Sequence, residues 1–300
     1  MKRALLFTLV LLVGLEVATR FVLFPQSKDI VRFAGFQEKA DDLTRSQALR
    51  VAIVSNSSAQ DGIDRTRLES LLSQSRGRPV QVEMFLADDS EIVTWHAMLQ
   101  HYFWSSGARA DVYVINYFGS LRDSPQFEYL RVGMFFTKFS DWHYYLHAQL
   151  DTTAQRVQFV LSSIWATFGA RDRIRDRTLD VFVPGYRDFL ELLSGDPKAH
   201  TADNQGDRRQ FSALHDIISH TEHEGARLVL SAFPTRTYRY NLDPELLSLA
   251  AAGHLNLCDL RNTPGLTPTS YRDDIHLIAA GRDVFTERFA AALGPMLVAR

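Results

Sequence analysis

The sequence predicts an α/β fold of three layers, in which helices cover both faces of a central, mostly five-stranded parallel sheet. Short, fully apolar runs alternate with amphipathic stretches from residue 49 onward. Runs of this kind are typical of strands that are buried on both faces, as in a parallel sheet between two helical layers. The predicted strands are Arg50–Val54, Val80–Leu86, Asp111–Tyr117, Arg227–Phe233 and Leu255–Leu260.

Helical patterns fill the intervals between these strands. The leucines of Arg65–Ser75 share one face, which indicates an amphipathic helix. A later helix has clear boundaries, because Asp243 can cap it, Pro244 suits its first turn and Gly253 follows its end. The other predicted helices are Glu91–Trp104, Arg209–Glu222 and Leu277–Leu293, the last of which we expect to stop at Gly294 and Pro295.

Residues 125–207 interrupt the alternation of strands and helices. The segment is rich in aromatic residues and contains a run of alternating Arg and Asp at Arg171–Arg177. We interpret it as a mainly helical insertion at the carboxyl edge of the sheet, which could act as a lid or as a docking surface. The charged run is typical of a solvated, self-paired helix face, and the alternative is a patch for an anionic ligand or a partner.

The amino terminus predicts a membrane segment. A basic head, Met1–Arg3, precedes the largely apolar stretch Ala4–Phe24, which as one helix is about 30 Å long, enough to cross a bilayer. Glu16 and Arg20 interrupt the stretch but can pair one turn apart. The basic head predicts a cytoplasmic amino terminus and a periplasmic or extracellular domain. The alternative is a cleaved signal peptide.

These patterns divide the chain into three parts. We expect an anchor or signal segment over residues 1–25, a polar linker over 26–48, and an α/β domain over 49–300 that includes the insertion.

Composition excludes some classes of partner. The formal net charge of −2 and the lack of a long basic run give no reason to expect nucleic acid. The single cysteine, Cys258, has no partner for an internal disulfide and is expected to be a buried thiol. The sequence contains no phosphate loop, zinc motif or dinucleotide fingerprint, so we predict no cofactor and no metal site. Two histidine pairs, His143 with His147 and His220 with His223, could hold a metal by spacing, but packing or solvation is the ordinary explanation.

Two short segments carry candidate catalytic groups. The first strand runs into Ser55–Ser58, and ligands of open parallel sheets bind beyond the carboxyl ends of the strands. Near the other end of the chain, Asp273 and His276 lie three residues apart, so the carboxylate can orient an imidazole that accepts a serine proton. Each segment alone also fits a turn or a helix cap.

Taken together, the two segments resemble the SGNH (GDSL-like) hydrolase family. Ile53–Ser57 matches the first block, and Asp273 with His276 matches the last. Pro234 also resembles the proline that follows the fourth strand in the family. The resemblance runs from about Arg50 to the carboxyl terminus apart from the insertion. It implies a flavodoxin-like SGNH fold with Ser57 as nucleophile, His276 as the base that takes its proton, and Asp273 as the group that orients His276.

The middle blocks of the family depart from its pattern. Ser55 replaces the first glycine, no glycine stands near Ser90 in the second block, and the third block begins at Gly119 but lacks its asparagine. The resemblance therefore leaves Ser90, Asn116 and Gly119 as candidates for the oxyanion hole, beside the N–H of Ser57.

More narrowly, the chain resembles the membrane-anchored members of this family that are linked to the acylation of polysaccharides. It implies an extracytoplasmic serine esterase or O-acyltransferase that acts on acyl esters of a cell-envelope or exported polysaccharide. The expected partners are an acylated or acceptor glycan and a membrane-embedded acyl donor. The alternative is a non-catalytic scaffold or glycan-binding subunit that keeps the SGNH fold.

Overall fold

The computed structural model describes residues 2–124, 127–186, 211–237 and 239–297. The chain forms two compact units. Residues 1–34 and 125–207 make up the amino-terminal unit, and residues 35–124 and 208–300 make up the sheet unit. The first two residues of the helix predicted from Arg209 lie outside the described residues. The candidate site lies wholly in the sheet unit.

The sheet unit is built on five parallel strands in the order β2-β1-β3-β4-β5. The strands are β1 (Leu49–Ser55), β2 (Val80–Leu86), β3 (Val112–Tyr117), β4 (Arg227–Ala232) and β5 (Asn256–Asp259). This is the flavodoxin-like order, in which the chain reverses its direction of winding between β1 and β3. The predicted fold class, with its five-stranded parallel sheet, is confirmed.

Helices cover both faces of this sheet. On one face, Leu68 and Leu72 join Phe285 and Phe289 in a buried cluster with the valines of the strands. On the other, Phe103 packs edge-on against aromatic rings of β2 and β3. The helices of the unit are Phe36–Arg45, Ser57–Gly62, Arg65–Arg76, Ile92–Leu99, Ser212–His223, Pro244–Ala251 and Ala279–Met296, with a π-helix at Gln100–Trp104 and a 3-10 turn at Pro268–Ser270.

The structure corrects three expectations at the level of single elements. The helix predicted over Glu91–Trp104 changes to a π-helix after Leu99. The last helix continues through Pro295 and ends one residue later, because a missing N–H in the final turn removes only one helical bond. The predicted linker 26–48 contains helices, and one of them buries Phe36, Ala40 and Leu43.

All secondary-structure elements among the described residues of the amino-terminal unit are helices. Its segment Lys2–Gln26 is long and apolar enough to cross a membrane, although a signal sequence meets the same criterion. The elements are Lys2–Ala18, a π-helix at Thr19–Leu23, a 3-10 turn at Phe24–Gln26, Lys28–Ala34, Tyr129–Phe135, a 3-10 turn at Phe139–Asp141, Trp142–Tyr144, a π-helix at Tyr145–Gln149, Thr153–Ile164, Ala166–Gly169 and Arg171–Phe182.

Polar contacts join the two chain segments of the amino-terminal unit. The Glu16 carboxylate accepts hydrogen bonds from the backbone N–H of Ala166 at 3.0 Å and of Thr167 at 2.9 Å. Arg20 donates to the same carboxylate at 2.6 Å, as its spacing predicts. Farther along, the Asp29 carboxylate forms an ion pair with Arg173. The acidic residue within the apolar helix therefore has internal partners.

Candidate active site

Ser57 is the first residue of a short helix at the carboxyl end of β1. Asn56 caps that helix in extended backbone geometry, so the chain turns sharply out of the sheet. The Oδ1 atom of Asn56 accepts hydrogen bonds from the N–H of Ser58 at 3.1 Å and from its hydroxyl at 2.7 Å. The turn presents the half-buried Ser57 hydroxyl at the edge of the sheet where the winding reverses, the usual ligand position in this fold.

The His276 imidazole lies between Ser57 and Asp273. Its Nε2 is 2.9 Å from the Ser57 Oγ, and its Nδ1 is 2.8 Å from the Asp273 Oδ2. The side chain of His276 is 19% exposed and that of Asp273 is 47% exposed, so the carboxylate forms the solvent side of the group. The two segments singled out in the sequence therefore meet, with all three side chains in hydrogen-bond contact.

The environment of Asp273 keeps its carboxyl group ionised. Burial raises its pKa. The hydrogen bonds from the backbone N–H groups of Ile275 and His276 and the interaction with the imidazole lower the pKa by more, so it lies below its ordinary value. Those N–H groups donate to Oδ1 at 3.0 and 2.9 Å. A carboxylate held this way fixes the imidazole and stabilises a positive charge on it.

The loop that carries both residues is folded back on itself and packed against the serine helix. An antiparallel bridge joins Tyr271 to Leu277. Arg272 reaches across to the serine helix and pairs with Asp61 at 2.9 Å. The serine helix also packs closely on Phe233, which needs a glycine at position 62, because a Cβ there would lie 2.6 Å from the Phe233 ring. These contacts hold the imidazole against the hydroxyl.

The backbone N–H groups of Ser57, Ser90 and Gly119 lie at this edge and have no acceptor among the described residues. Gly119 adopts a φ of +79°, which suits a turn directly after β3. Ser90 is buried, and its hydroxyl is engaged because it donates to the carbonyl of Ala87 and accepts from the Trp95 indole. Only its N–H is therefore available as a donor.

Asn116 does not fit the predicted role of an oxyanion donor. It lies within β3 with no exposed surface, and neither atom of its amide has a hydrogen-bond partner among the described residues. A side chain buried in the sheet cannot reach a substrate unless the strand moves. Its carbonyl instead accepts a hydrogen bond from the Ser55 hydroxyl at 2.6 Å, which stabilises the end of β1.

Sequence reasoning missed the part played by Asn56. Besides capping the serine helix, its Nδ2 donates to the carbonyl of Ser90 at 3.4 Å, which links the turn after β1 to the loop after β2. An asparagine directly before a helix is a known capping signal, so this role could have been predicted. The Arg272–Asp61 pair could not, because it joins segments 211 positions apart.

The remaining candidate groups have ordinary packing contacts. His220 stacks on Trp104 with ring centroids 4.3 Å apart, and His143 and His147 lie 4.5 Å apart. Cys258 is buried as expected, and burial raises the pKa of its thiol to about 11. Among the residues that the structure describes, no three His, Cys, Asp or Glu side chains come together as a metal site.

The chain matches no protein-family model and no curated protein. It is similar in structure to TesA, with 15% identity and a TM-score of 0.38 over 83% of this chain and 99% of TesA. It is also similar to LAE5, an α/β hydrolase from the metagenome of Lake Arreo, Spain, with 12% identity and a TM-score of 0.40 over 85% and 100% of the two chains.

The chain spans about half the length, 48%, of BT4096, a gut microbial diltiazem-metabolizing enzyme. There the identity is 12% and the TM-score is 0.40 over 84% of this chain. Likenesses at these identities and TM-scores carry no conclusion about activity, which must be argued from the geometry of the site.

Proposed function

We propose that this chain is a serine hydrolase or acyltransferase of the SGNH type, with Ser57 as nucleophile, His276 as base and Asp273 as the group that orients the base. One observation carries the proposal. A serine hydroxyl at the carboxyl edge of a parallel sheet lies 2.9 Å from an imidazole whose other nitrogen contacts a carboxylate. This is the arrangement that acyl transfer through a serine requires.

The geometry supports a two-step reaction on an ester. As the Ser57 Oγ bonds to the carbonyl carbon, its proton passes to Nε2 of His276, and the carbonyl oxygen becomes an oxyanion. Collapse of this intermediate breaks the bond to the alcohol, which leaves with the proton from His276, and an acyl-enzyme remains. A water or a sugar hydroxyl then gives its proton to His276 and attacks the acyl carbon, and the Ser57 Oγ leaves with that proton, which restores the free serine and the neutral imidazole.

The free N–H groups of Ser57, Gly119 and Ser90 are the candidates to stabilise the oxyanion. Each lies at the carboxyl edge of the sheet, after β1, β3 and β2 respectively. Loss of one such donor typically costs about a hundredfold to a thousandfold in rate. Backbone donors would explain how the site could act without the asparagine of the family's third block.

We propose that the substrate is an acylated glycan of the cell envelope or an exported polysaccharide. In the transferase form, the acceptor would be a sugar hydroxyl and a membrane-embedded partner would supply the acyl group. The apolar segment at the amino terminus supports a location at a membrane, with the sheet unit on its periplasmic or extracellular side.

Contacts within the amino-terminal unit favour an uncleaved anchor over a signal peptide. Thr19 is buried and its hydroxyl lies 3.0 Å from that of Thr167, while Glu16 accepts bonds from Ala166 and Thr167. Cleavage near Ala18 would remove Glu16 and its contacts. A protein tagged at both ends should therefore reach the membrane with both tags, and loss of the amino-terminal tag would contradict retention.

The second candidate function is a scaffold or glycan-binding subunit without turnover. The observation that favours it is the burial of Asn116, which leaves no asparagine side chain of β3 or its following turn at the site. A scaffold would bind glycan but would not release an acyl group. Turnover of an ester therefore separates the two candidates.

The test replaces Ser57 by alanine in the full chain and measures release of acetate from an activated acetyl ester. Ser70→Ala is the matched control, because Ser70 is an exposed residue of the helix Arg65–Arg76, outside the site segments. We expect Ser57→Ala to lose nearly all turnover, down to about a millionth of the wild-type kcat if the three residues act as a unit. Equal turnover in both variants would overturn the assignment of the nucleophile.

A further inference from the structure

We propose that a pocket beside the candidate site binds an anionic group, a carboxylate or a phosphate, on the substrate. The pocket has a volume of about 420 Å³ and lies between the loops that follow β4 and β5. Its walls include Arg236, Arg239, Arg261 and Tyr271. This inference rests on the proposed function in one respect only, namely that the ligand is also the ester substrate.

The charge of the lining points to an anion. The described residues that line the pocket include three arginines and no acidic residue. Arg261 is already neutralised, because it forms a 2.8 Å ion pair with Asp259. The guanidinium of Arg236 has no partner among the described residues, and that of Arg239 contacts only the amide oxygen of Asn262, at 3.1 Å. Two positive charges therefore face the pocket without an opposing carboxylate.

A nearby carboxylate is engaged elsewhere. Asp274 accepts a hydrogen bond from the Thr237 hydroxyl at 2.7 Å, and its backbone carbonyl accepts from the N–H of Arg236 at 2.8 Å. The second contact fixes the backbone that carries Arg236. The planar, forked guanidinium group of arginine matches a carboxylate or a phosphate better than a compact charge such as an ammonium group does.

The position of the pocket suits a substrate that also reaches Ser57. Tyr271 forms part of the wall and begins the same folded loop that carries Asp273 and His276. The ends of β1 and β4 are two strand spacings apart in the sheet, about 10 Å. Neighbouring parts of one glycan can therefore occupy both places, with the ring of Tyr271 and three prolines as apolar walls.

The test measures binding, so that it does not depend on turnover. Ser57→Ala protein is titrated with glucuronate, glucose 6-phosphate and glucose, and the dissociation constants are followed by NMR. We expect at least one anionic sugar to bind more tightly than glucose, and to bind more weakly as salt rises. Tighter binding of glucuronate assigns a carboxylate, and tighter binding of glucose 6-phosphate assigns a phosphate.

Substitutions then locate the anion. Adding Arg236→Gln and Arg239→Gln should weaken binding of the preferred anionic sugar about tenfold or more, because charge-assisted hydrogen bonds are lost. Arg109→Gln, which removes an exposed arginine outside the pocket lining, should leave it unchanged. Arg239→Lys keeps the charge and should lose less affinity than Arg239→Gln, which guards against a merely structural effect.

Two results would overturn the inference. One is that neither anionic sugar binds more tightly than glucose at low salt. The other is that the double glutamine variant, folded by circular dichroism, binds anions as the Arg109→Gln control does. Failure of the Ser57 assay leaves this binding result readable, so the two proposals fail separately.

Discussion

Ser57 and His276 are 219 positions apart in the chain, and the Ser57 Oγ lies 2.9 Å from the imidazole Nε2. The serine is placed by the end of β1 and the cap at Asn56, and the histidine by a loop whose Arg272 pairs with Asp61 of the serine helix. Neither segment makes the site alone. The chemistry depends on the sheet edge that brings them together.

Asp273→Asn should lower kcat/KM by about a thousandfold or more while the protein stays folded. The amide has nearly the same shape, but it lacks the negative charge that stabilises a protonated His276. Asp283→Asn, which removes a surface carboxylate 3.6 Å from Arg67, is the control and should keep activity. Circular dichroism checks the fold of both variants. An Asp273→Asn enzyme with wild-type kcat/KM would contradict the role of the carboxylate.

The depressed pKa of Asp273 predicts a pH dependence of stability. The group stabilises the fold fully above its ordinary pKa, and this contribution is lost as the pH falls through the lower pKa of the folded state. Wild type should therefore lose more Tm than Asp273→Asn between about pH 5 and about pH 2. The difference will be small, because the carboxylate is half exposed. Parallel Tm curves for the two proteins would contradict the prediction.

Asn56→Ala should reduce both stability and activity. It removes the cap of the serine helix, which typically costs about 1 kcal/mol in the free energy of unfolding. It also removes the contact with Ser90 that joins two loops of the site. Asp64→Ala removes the cap of the next helix, where Asp64 accepts from the N–H of Arg67, and should cost similar stability. Denaturant unfolding measures the stability of both variants, and an ester assay measures their kcat. An equal loss of kcat in Asn56→Ala and Asp64→Ala would show that Asn56 acts only through stability.

Gly62→Ala should displace the serine helix. The added methyl group would lie 2.6 Å from the Phe233 ring, so the helix or the ring must move, at a cost of about 1 to 3 kcal/mol in the free energy of unfolding. A shift of the helix would also lower kcat. Gly294→Ala is the matched control, because a methyl group there would meet its nearest neighbour at 3.4 Å, an ordinary contact. Similar Tm values for the two variants would contradict the packing argument.

The sheet could be predicted because the strands fall in short, mainly apolar runs. The segment 36–45 could not be recognised as a packed helix from its overall polarity. Phe36, Ala40 and Leu43 lie one turn apart in it, and this periodicity was the better signal. The π-helix after Leu99 carries Phe103, whose ring packs on that of Phe85, a contact that spacing alone does not reveal.

The candidate site was predictable where short motifs define it. A serine after the first strand and an Asp three residues before a His were both visible in the sequence. The oxyanion donors were not, because backbone N–H groups carry no side-chain signal and become candidates only when the turn at Gly119 and the loop at Ser90 are seen. Asn116 lies within the predicted strand Asp111–Tyr117, so its burial in β3 could have been predicted from the strand assignment.

The most direct test of the central claim is labelling of the full-length protein with a serine-reactive fluorophosphonate, followed by mass spectrometry of the peptides. We expect one adduct, on Ser57, whose formation slows strongly in His276→Ala, because the hydroxyl then has no base to take its proton. A wild-type protein that does not label, or an adduct that persists unchanged in Ser57→Ala, would contradict this claim.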